Sequence, residues 1–134
     1  MALNSNRESV DKLINHFWQN GYLTVSRKFG TYLPAPQPVG SYNVDAVGRY
    51  KRKFALGIIL NEEELKDSSA VGKLNFLATR QTKFSNTKVT LFIGVEPDNA
   101  VKARRLIGSL SQDAKKNIKL VFLAENSITK ANTN

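Results

Sequence analysis

Five apolar side chains near the start of the chain recur at the spacing of one helical face, which predicts an amphipathic helix with these side chains in the core. They are Val10, Leu13, Ile14, Phe17 and Trp18. Ser5 and Glu8 match a capping box, in which each side chain bonds an amide left free at the helix start. Gly21 is suited to the left-handed conformation that ends a helix.

Apolar patterns further along the chain predict five strands. Alternation over 22–26 and the segment 42–48 predict partly buried strands. The runs 53–60 and 88–95 are almost continuously apolar, which is typical of strands buried on both faces. The last strand is expected at 117–123.

Helical segments are predicted between the later strands. Residues 61–66 read as a turn or short helix. Ser68 is the expected N-cap of a helix that extends to about Lys83. Pro97 is expected to begin a helix that extends to about Gln112.

The resulting order is α-β-β-β-α-β-α-β. A helix between the last two buried strands indicates a parallel crossover, and the earlier hairpins indicate antiparallel pairing. We therefore expect an α/β fold with a mixed central β-sheet flanked by helices. The segment 30–40 holds three of the four prolines and two glycines, which predicts an exposed loop.

Length and composition favour one soluble domain. The 134 residues suggest a single domain over 1–134, with frayed ends at 1–4 and 124–134. We find neither an apolar run of about 20 residues nor an apolar signal core, so we expect a cytoplasmic protein without a membrane partner. The absence of cysteine and the single histidine, His16, exclude thiolate zinc sites, cysteine nucleophiles and multi-histidine metal sites.

The charge of the chain points to a polyanionic partner. Lys and Arg number 20 against 11 Asp and Glu, which gives a net charge of +9. Such a balance favours nucleic acid, and we expect DNA rather than RNA. The expected phosphate contacts are Arg27, Lys28, Arg49, Lys51, Arg52 and Lys53.

One constellation suggests a more specific chemistry. An opening helix carries Glu8, the segment YNVDAVG then places Asp45 in a predicted strand, and a basic turn leads to a buried strand that ends GIIL. This arrangement resembles the PD-(D/E)XK nuclease superfamily, which includes restriction endonucleases and archaeal Holliday-junction resolvases. The resemblance implies a restriction-endonuclease-like fold and a possible homodimer. It also implies a site in which Asp45, with Glu8 as a further ligand, binds Mg²⁺ or Mn²⁺ to activate water.

The next strand departs from the family pattern. Gly57 falls where the family has an acid, and Ile59 falls where it has a lysine. One alternative is a rearranged catalytic site, and the other is a fold kept for binding alone. The rearranged site would use Glu62 or Glu64 as ligand, Lys73 or Arg80 as the cation, and Gln81 as a polar residue.

Each candidate also has a structural interpretation. Glu8 is suited to helix capping. Asp45, if it binds no metal, is expected to face solvent or to pair with Arg49 or Lys51.

Three functions follow as hypotheses. The first is binding of duplex or branched DNA with cleavage lost or rearranged. The second is an active Mg²⁺- or Mn²⁺-dependent endonuclease that uses Asp45 with Glu62 or Glu64. The third is a protein-interaction module that docks its partner on the loop 30–40.

Overall fold

One mixed sheet organises residues 7–81 and 89–123, the part of the chain that the computed structural model describes. Its strands are β1 (Leu23–Arg27), β2 (Ala46–Tyr50), β3 (Lys53–Ile59), β4 (Thr90–Val95) and β5 (Ile118–Phe122). They lie in sequence order across the sheet. The pairs β1–β2 and β2–β3 are antiparallel, and the pairs β3–β4 and β4–β5 are parallel.

Helices cover both faces of this sheet. They are α1 (Arg7–Gln19), α2 (Glu62–Lys66), α3 (Ala70–Ala78), α4 (Ala100–Gly108) and α5 (Gln112–Lys116), with a 3-10 turn at Pro97–Asn99. One core joins α1 to alternate residues of the sheet, and a second core joins the opposite face to α3, α4 and α5. The α/β class with a mixed, helix-flanked sheet is therefore confirmed. Among the described helices, none is long and apolar enough to cross a membrane.

The first helix confirms most of its predicted core and corrects one residue. Val10, Leu13 and Phe17 are fully buried. Trp18, expected in the core, is 63% exposed. At about 100° per residue, Trp18 lies roughly a quarter turn away from the centre of the buried face. Gly21 has a φ of 89°, so the predicted left-handed helix end is present.

Two predicted helices are shorter than expected. The helix expected from Ser68 begins one residue later, after Ser69, and ends at Ala78, where the Thr79 hydroxyl donates to the Asn75 carbonyl over 2.7 Å. Its predicted end, Lys83, lies outside the described residues.

The segment expected to form one helix over 97–112 is instead divided. The helix α4 ends at Gly108. Ser111 then caps the separate helix α5, because its hydroxyl accepts a hydrogen bond from the Ala114 amide over 3.2 Å. The capping serine was the sequence signal for this break.

The second strand is shifted toward the basic turn. It was expected at 42–48 and lies at Ala46–Tyr50. The neighbouring β1 is an edge strand, and its pairing with β2 is interrupted by a register shift between Thr24 and Ser26. The segment 30–40 forms no strand apart from a single bridge between Val39 and Tyr42, which agrees with the predicted loop.

Candidate nucleic-acid interface

Asp45 is buried at the point where β2 begins. Its residue is only 5% exposed. The backbone joins both neighbouring segments, because the Asp45 amide donates to the Gly57 carbonyl over 2.8 Å and its carbonyl accepts from the Lys28 amide over 2.9 Å. The carboxylate does the same, since Oδ2 accepts from the Ile59 amide over 2.8 Å and Oδ1 lies 3.1 Å from Lys28 Nζ. Asp45 therefore ties the end of β1 to β3.

The partner of Asp45 differs from the sequence-based expectation. The carboxylate is buried and does not pair with Arg49 or Lys51. Its cationic partner is Lys28, which directly follows β1. A buried carboxylate is stable only when charge and hydrogen bonds replace its lost hydration. Here one carboxylate oxygen forms an ion pair with the Lys28 ammonium, and the other accepts a hydrogen bond from the Ile59 amide.

The positions that the family pattern assigns to an acid and a lysine lie within the α1 core. A Cβ added at Gly57 would lie 2.8 Å from Leu13 Cδ2 and 3.0 Å from Phe17 Cζ. Ile59 is buried in the same core. Carboxylate and ammonium groups at these two positions would be buried among apolar side chains, so the packing favours uncharged residues such as glycine and isoleucine here.

The alternative acidic ligands have other partners in the structure. Glu64 forms a capping box with Asn61, with both hydrogen bonds at 2.8 Å. Glu62 lies 3.0 Å from Lys102 Nζ and 3.5 Å from Lys66 Nζ. The hydrogen bond from Lys102, followed by the charges of Lys102 and Lys66, lowers the pKa of Glu62 below its ordinary value.

Glu8 likewise makes a contact on its own helix. Its carboxylate lies 3.8 Å from Lys12 Nζ one turn further along α1. The proposed capping partner, Ser5, lies outside the described residues. Glu8 is therefore an exposed residue on the surface of α1, and Lys12 lies beside it.

The remaining residues of the rearranged site lie on or just after α3. Lys73 is half-buried, and Gln81 is exposed. The Arg80 guanidinium stacks 3.8 Å from the centre of the Phe76 ring and donates through Nε to the Phe76 carbonyl. Within residues 7–81 and 89–123, no three His, Asp or Glu side chains gather closely enough to hold a metal ion.

Four predicted phosphate-binding residues share one hairpin. Arg49, Lys51, Arg52 and Lys53 form this basic hairpin, in which β2 and β3 are joined by a two-residue turn. All four residues are exposed. In the described part of the chain, no acid forms an ion pair with any of them. Their positive charges therefore face solvent without a carboxylate to balance them.

The turn of the basic hairpin has an uncommon backbone conformation. Lys51 has a φ of 56°, a region that favours glycine. The Arg49 side chain supports it, because Nε donates to the Lys51 carbonyl over 2.8 Å. A lysine held in this conformation places two adjacent cations, Lys51 and Arg52, at the tip of the ribbon.

The other two predicted phosphate contacts are paired with acids. Arg27 Nη2 lies 2.7 Å from Asp11 Oδ1, and its side chain is 15% exposed. Lys28 pairs with Asp45. Both cations already balance an acid of the fold, so they offer less charge to a phosphate than the basic hairpin does.

An apolar surface that the sequence pattern did not indicate lies beside the basic hairpin. Leu23 and Val25 of β1 are exposed. With Thr24, Arg49 and Lys51 they line an open groove of about 450 Å³. Leu23 is paired with Arg49 across the ladder, and the Arg49 guanidinium lies 5.7 Å from the centre of the Phe54 ring. Cationic and apolar side chains thus alternate along this edge of the sheet.

Comparisons with protein-family models, curated proteins and solved structures found no match to this chain.

Proposed function

We propose that this chain is a nucleic-acid-binding domain of nuclease-like fold, that its partner is duplex or branched DNA, and that Asp45 serves the fold rather than hydrolysis. The basic hairpin is the observation on which the proposal depends. Its four cations are exposed and have no acidic partner among the described residues. Lys and Arg side chains in this state bind phosphates and release the counterions condensed on DNA.

The shape of the hairpin also supports binding to a duplex. Residues directly opposite in an antiparallel pair share a face, and successive residues alternate between faces. Lys53 pairs with Tyr50, whereas Arg49 pairs with Phe54, so Arg49 and Lys53 lie on opposite faces of the ribbon. The major groove of DNA admits a two-stranded ribbon. Cations on both faces of such a ribbon would meet phosphates on both walls of the groove.

The endonuclease hypothesis has one observation in its favour, the proximity of a carboxylate and a lysine at Asp45 and Lys28. A divalent cation does not fit this pair as it stands. The Lys28 ammonium occupies the approach to Oδ1, and the Ile59 amide occupies Oδ2. Asp45 belongs to no group of three or more potential metal ligands within the described residues. We therefore derive no hydrolytic step from this site.

Fluorescence anisotropy with matched charge variants tests the proposal. In one variant the four cations of the basic hairpin become glutamine. In the control, four helical lysines become glutamine, which gives the same net charge. The control residues are Lys66, Lys102, Lys115 and Lys116. Labelled duplex and four-way-junction DNA are titrated in EDTA at low and near-physiological salt.

We expect the hairpin variant to lose most of its affinity and up to about four units of salt slope, since each phosphate contact contributes close to one unit. The control should retain most of its affinity. Equal losses in the two variants would show that net charge alone is responsible. No binding by the wild-type protein at low salt would overturn the proposal.

A cleavage assay tests the statement about Asp45. The wild-type protein is expected to leave both DNA substrates intact with Mg²⁺ or Mn²⁺. Asp45→Asn keeps an acceptor for the Ile59 amide and so serves as a folded comparison. Metal-dependent cleavage that disappears in Asp45→Asn would overturn the non-catalytic interpretation and support the endonuclease.

A further inference from the structure

A cluster of exposed apolar side chains lies just beyond the other end of β1. Phe29, Tyr32 and Leu33 are all exposed, and Tyr32 is 95% exposed. We call residues 29–33 the aromatic loop. An exposed tyrosine ring gains nothing from burial in the core, so its contribution to the fold is small.

Hydrogen bonds hold the aromatic loop in place. Arg7 donates from Nη1 to the Phe29 carbonyl over 2.9 Å and from Nη2 to the Thr31 hydroxyl over 3.0 Å. At the far end, the Arg27 amide donates to the Pro34 carbonyl over 2.9 Å. The loop is therefore fixed to α1 on one side and to β1 on the other.

The backbone of the loop is also strained where it turns. Phe29 has a φ of 61°, which is uncommon for a bulky residue. Such conformations persist where the surrounding contacts enforce them, and they occur often at ligand-binding sites. The strain here accompanies exposed aromatic rings rather than buried ones.

A positively charged side chain, Arg7, lies at the base of the aromatic loop. The Arg7 guanidinium bonds only neutral oxygens in the described part of the chain, so its charge remains uncompensated. An exposed aromatic ring on a backbone held beside a cation is an arrangement with which proteins bind single-stranded nucleic acid, because bases stack on the ring and phosphates meet the cation. This combination favours a nucleic-acid strand over a protein partner.

We propose that Tyr32, together with the exposed Phe29 of the same loop, stacks on unpaired bases, so that the preferred ligand is a DNA duplex end with a single-stranded extension. This inference rests on the proposed function. Leu23 lies beside the basic hairpin and Arg27 lies next to the aromatic loop, so the length of β1 separates the two surfaces by about 13 Å. That distance corresponds to roughly four base steps of duplex. A duplex held at the hairpin would thus place its strand-separation point at Tyr32.

Anisotropy with two labelled ligands tests the inference. One is a blunt duplex, and the other is the same duplex with a short single-stranded extension. We expect the wild-type protein to bind the extended ligand roughly fivefold or more tightly than the blunt one. Tyr32→Ala should remove this preference and leave affinity for the blunt duplex unchanged. Tyr32→Phe, which keeps the ring, should retain the preference.

The control measurements separate stacking from folding. Because Tyr32 is almost fully exposed, Tyr32→Ala should melt at the wild-type temperature. A 2-aminopurine base in the extension should lose fluorescence on binding to the wild-type protein and to Tyr32→Phe but not to Tyr32→Ala.

The failures of the two proposals are distinguishable. If blunt and extended ligands bind equally, or if Tyr32→Ala weakens both alike, this inference is overturned and binding to the duplex stands. The aromatic loop would then be left for the protein partner of the third hypothesis. If neither ligand binds at low salt, both proposals are overturned.

Discussion

The pair Asp45–Lys28 and the basic hairpin lie at opposite ends of β2 and use charge in opposite ways. At the start of β2, a carboxylate is buried and its two oxygens are bonded within the fold. At the end of the same strand, four cations are exposed without an acidic partner in the described part of the chain. The strand β2 therefore lies between two kinds of charge. The carboxylate of Asp45 stabilises the fold, whereas the cations of the basic hairpin remain available for a ligand.

The difference shows that residue type alone does not assign a role. Asp45 has a residue type that can bind a metal ion, and the sequence resemblance led us to expect that role, yet its contacts are those of a strand-end anchor. The lysines and arginines of the hairpin match no motif, yet they have the exposure that phosphate binding requires. What separates the two is whether partners within the fold already satisfy the charge.

Asp45 could share a metal site with β3 only if that strand accepted a second carboxylate at Gly57. We expect Gly57→Asp to abolish cooperative folding, with a cost of about 4 kcal/mol or more, because it buries an unpaired charge against Leu13 and Phe17. Circular dichroism during urea unfolding measures this. Gly57→Ala, which adds only a methyl group, should cost about 1–3 kcal/mol. A stable Gly57→Asp protein would show that the core can open into a site.

Removal of the buried carboxylate tests whether Asp45 stabilises the fold. We expect Asp45→Ala to lower the free energy of unfolding by about 2–3 kcal/mol, because the Ile59 amide loses its acceptor in a buried setting. Asp45→Asn should cost less, since its side-chain oxygen can still accept that bond. Urea denaturation compares the two variants. An Asp45→Ala protein as stable as wild type would contradict the structural role.

Lys51 contributes both a strained backbone conformation and a positive charge to the basic hairpin. Glycine adopts a φ of 56° without strain, so Lys51→Gly should raise stability by about 0.5 kcal/mol. The same change removes a cation, so the salt slope of DNA binding should fall by about one unit. Lys53→Gln should weaken binding similarly without raising stability. If Lys51→Gly left DNA affinity unchanged, the hairpin tip would have no role in binding.

The smallest expected effect concerns Glu62, where Lys102 and Lys66 lower the pKa. A lowered folded-state pKa contributes stability that is present above the ordinary value of 4.5 and is lost as the pH falls below it. The stability advantage of wild type over Glu62→Gln should therefore shrink in acid and in high salt. Glu63→Gln serves as the control, because Glu63 contacts no lysine among the described residues. An advantage independent of pH would contradict the ion-pair explanation.

The hydrophobic pattern located the elements that contribute most of the buried side chains. The spacing of Val10, Leu13 and Phe17 located α1, and continuous apolar runs located β3 and β4 within two residues at each end. Trp18 was misplaced because the buried face of α1 is narrower than the apolar pattern suggested, and Trp18 lies about a quarter turn from its centre. The beginning of β2 was misplaced because a side chain, rather than the backbone, completes the pairing with Ile59.

The candidate site was less accessible to prediction because its contacts are non-local. Lys28 and Asp45 are 17 positions apart, and only strand pairing brings them together. Hydrophobic pattern indicates neither Lys28 as a partner nor Arg7 as a support of the aromatic loop. The cluster of cations at 49–53 was visible in the sequence, because neighbouring residues need no long-range contact to share a turn.

The register shift in β1 has a consequence for solubility. An edge strand with exposed leucine and valine offers unpaired backbone groups to a second copy of the chain, which is a common start of aggregation. In β1 the pairing is irregular between Thr24 and Ser26, and Arg49 is paired beside Leu23. A bent edge flanked by like charges is a poor template for another strand. The same arginine that is proposed to meet DNA thus also protects the free protein from edge-to-edge association.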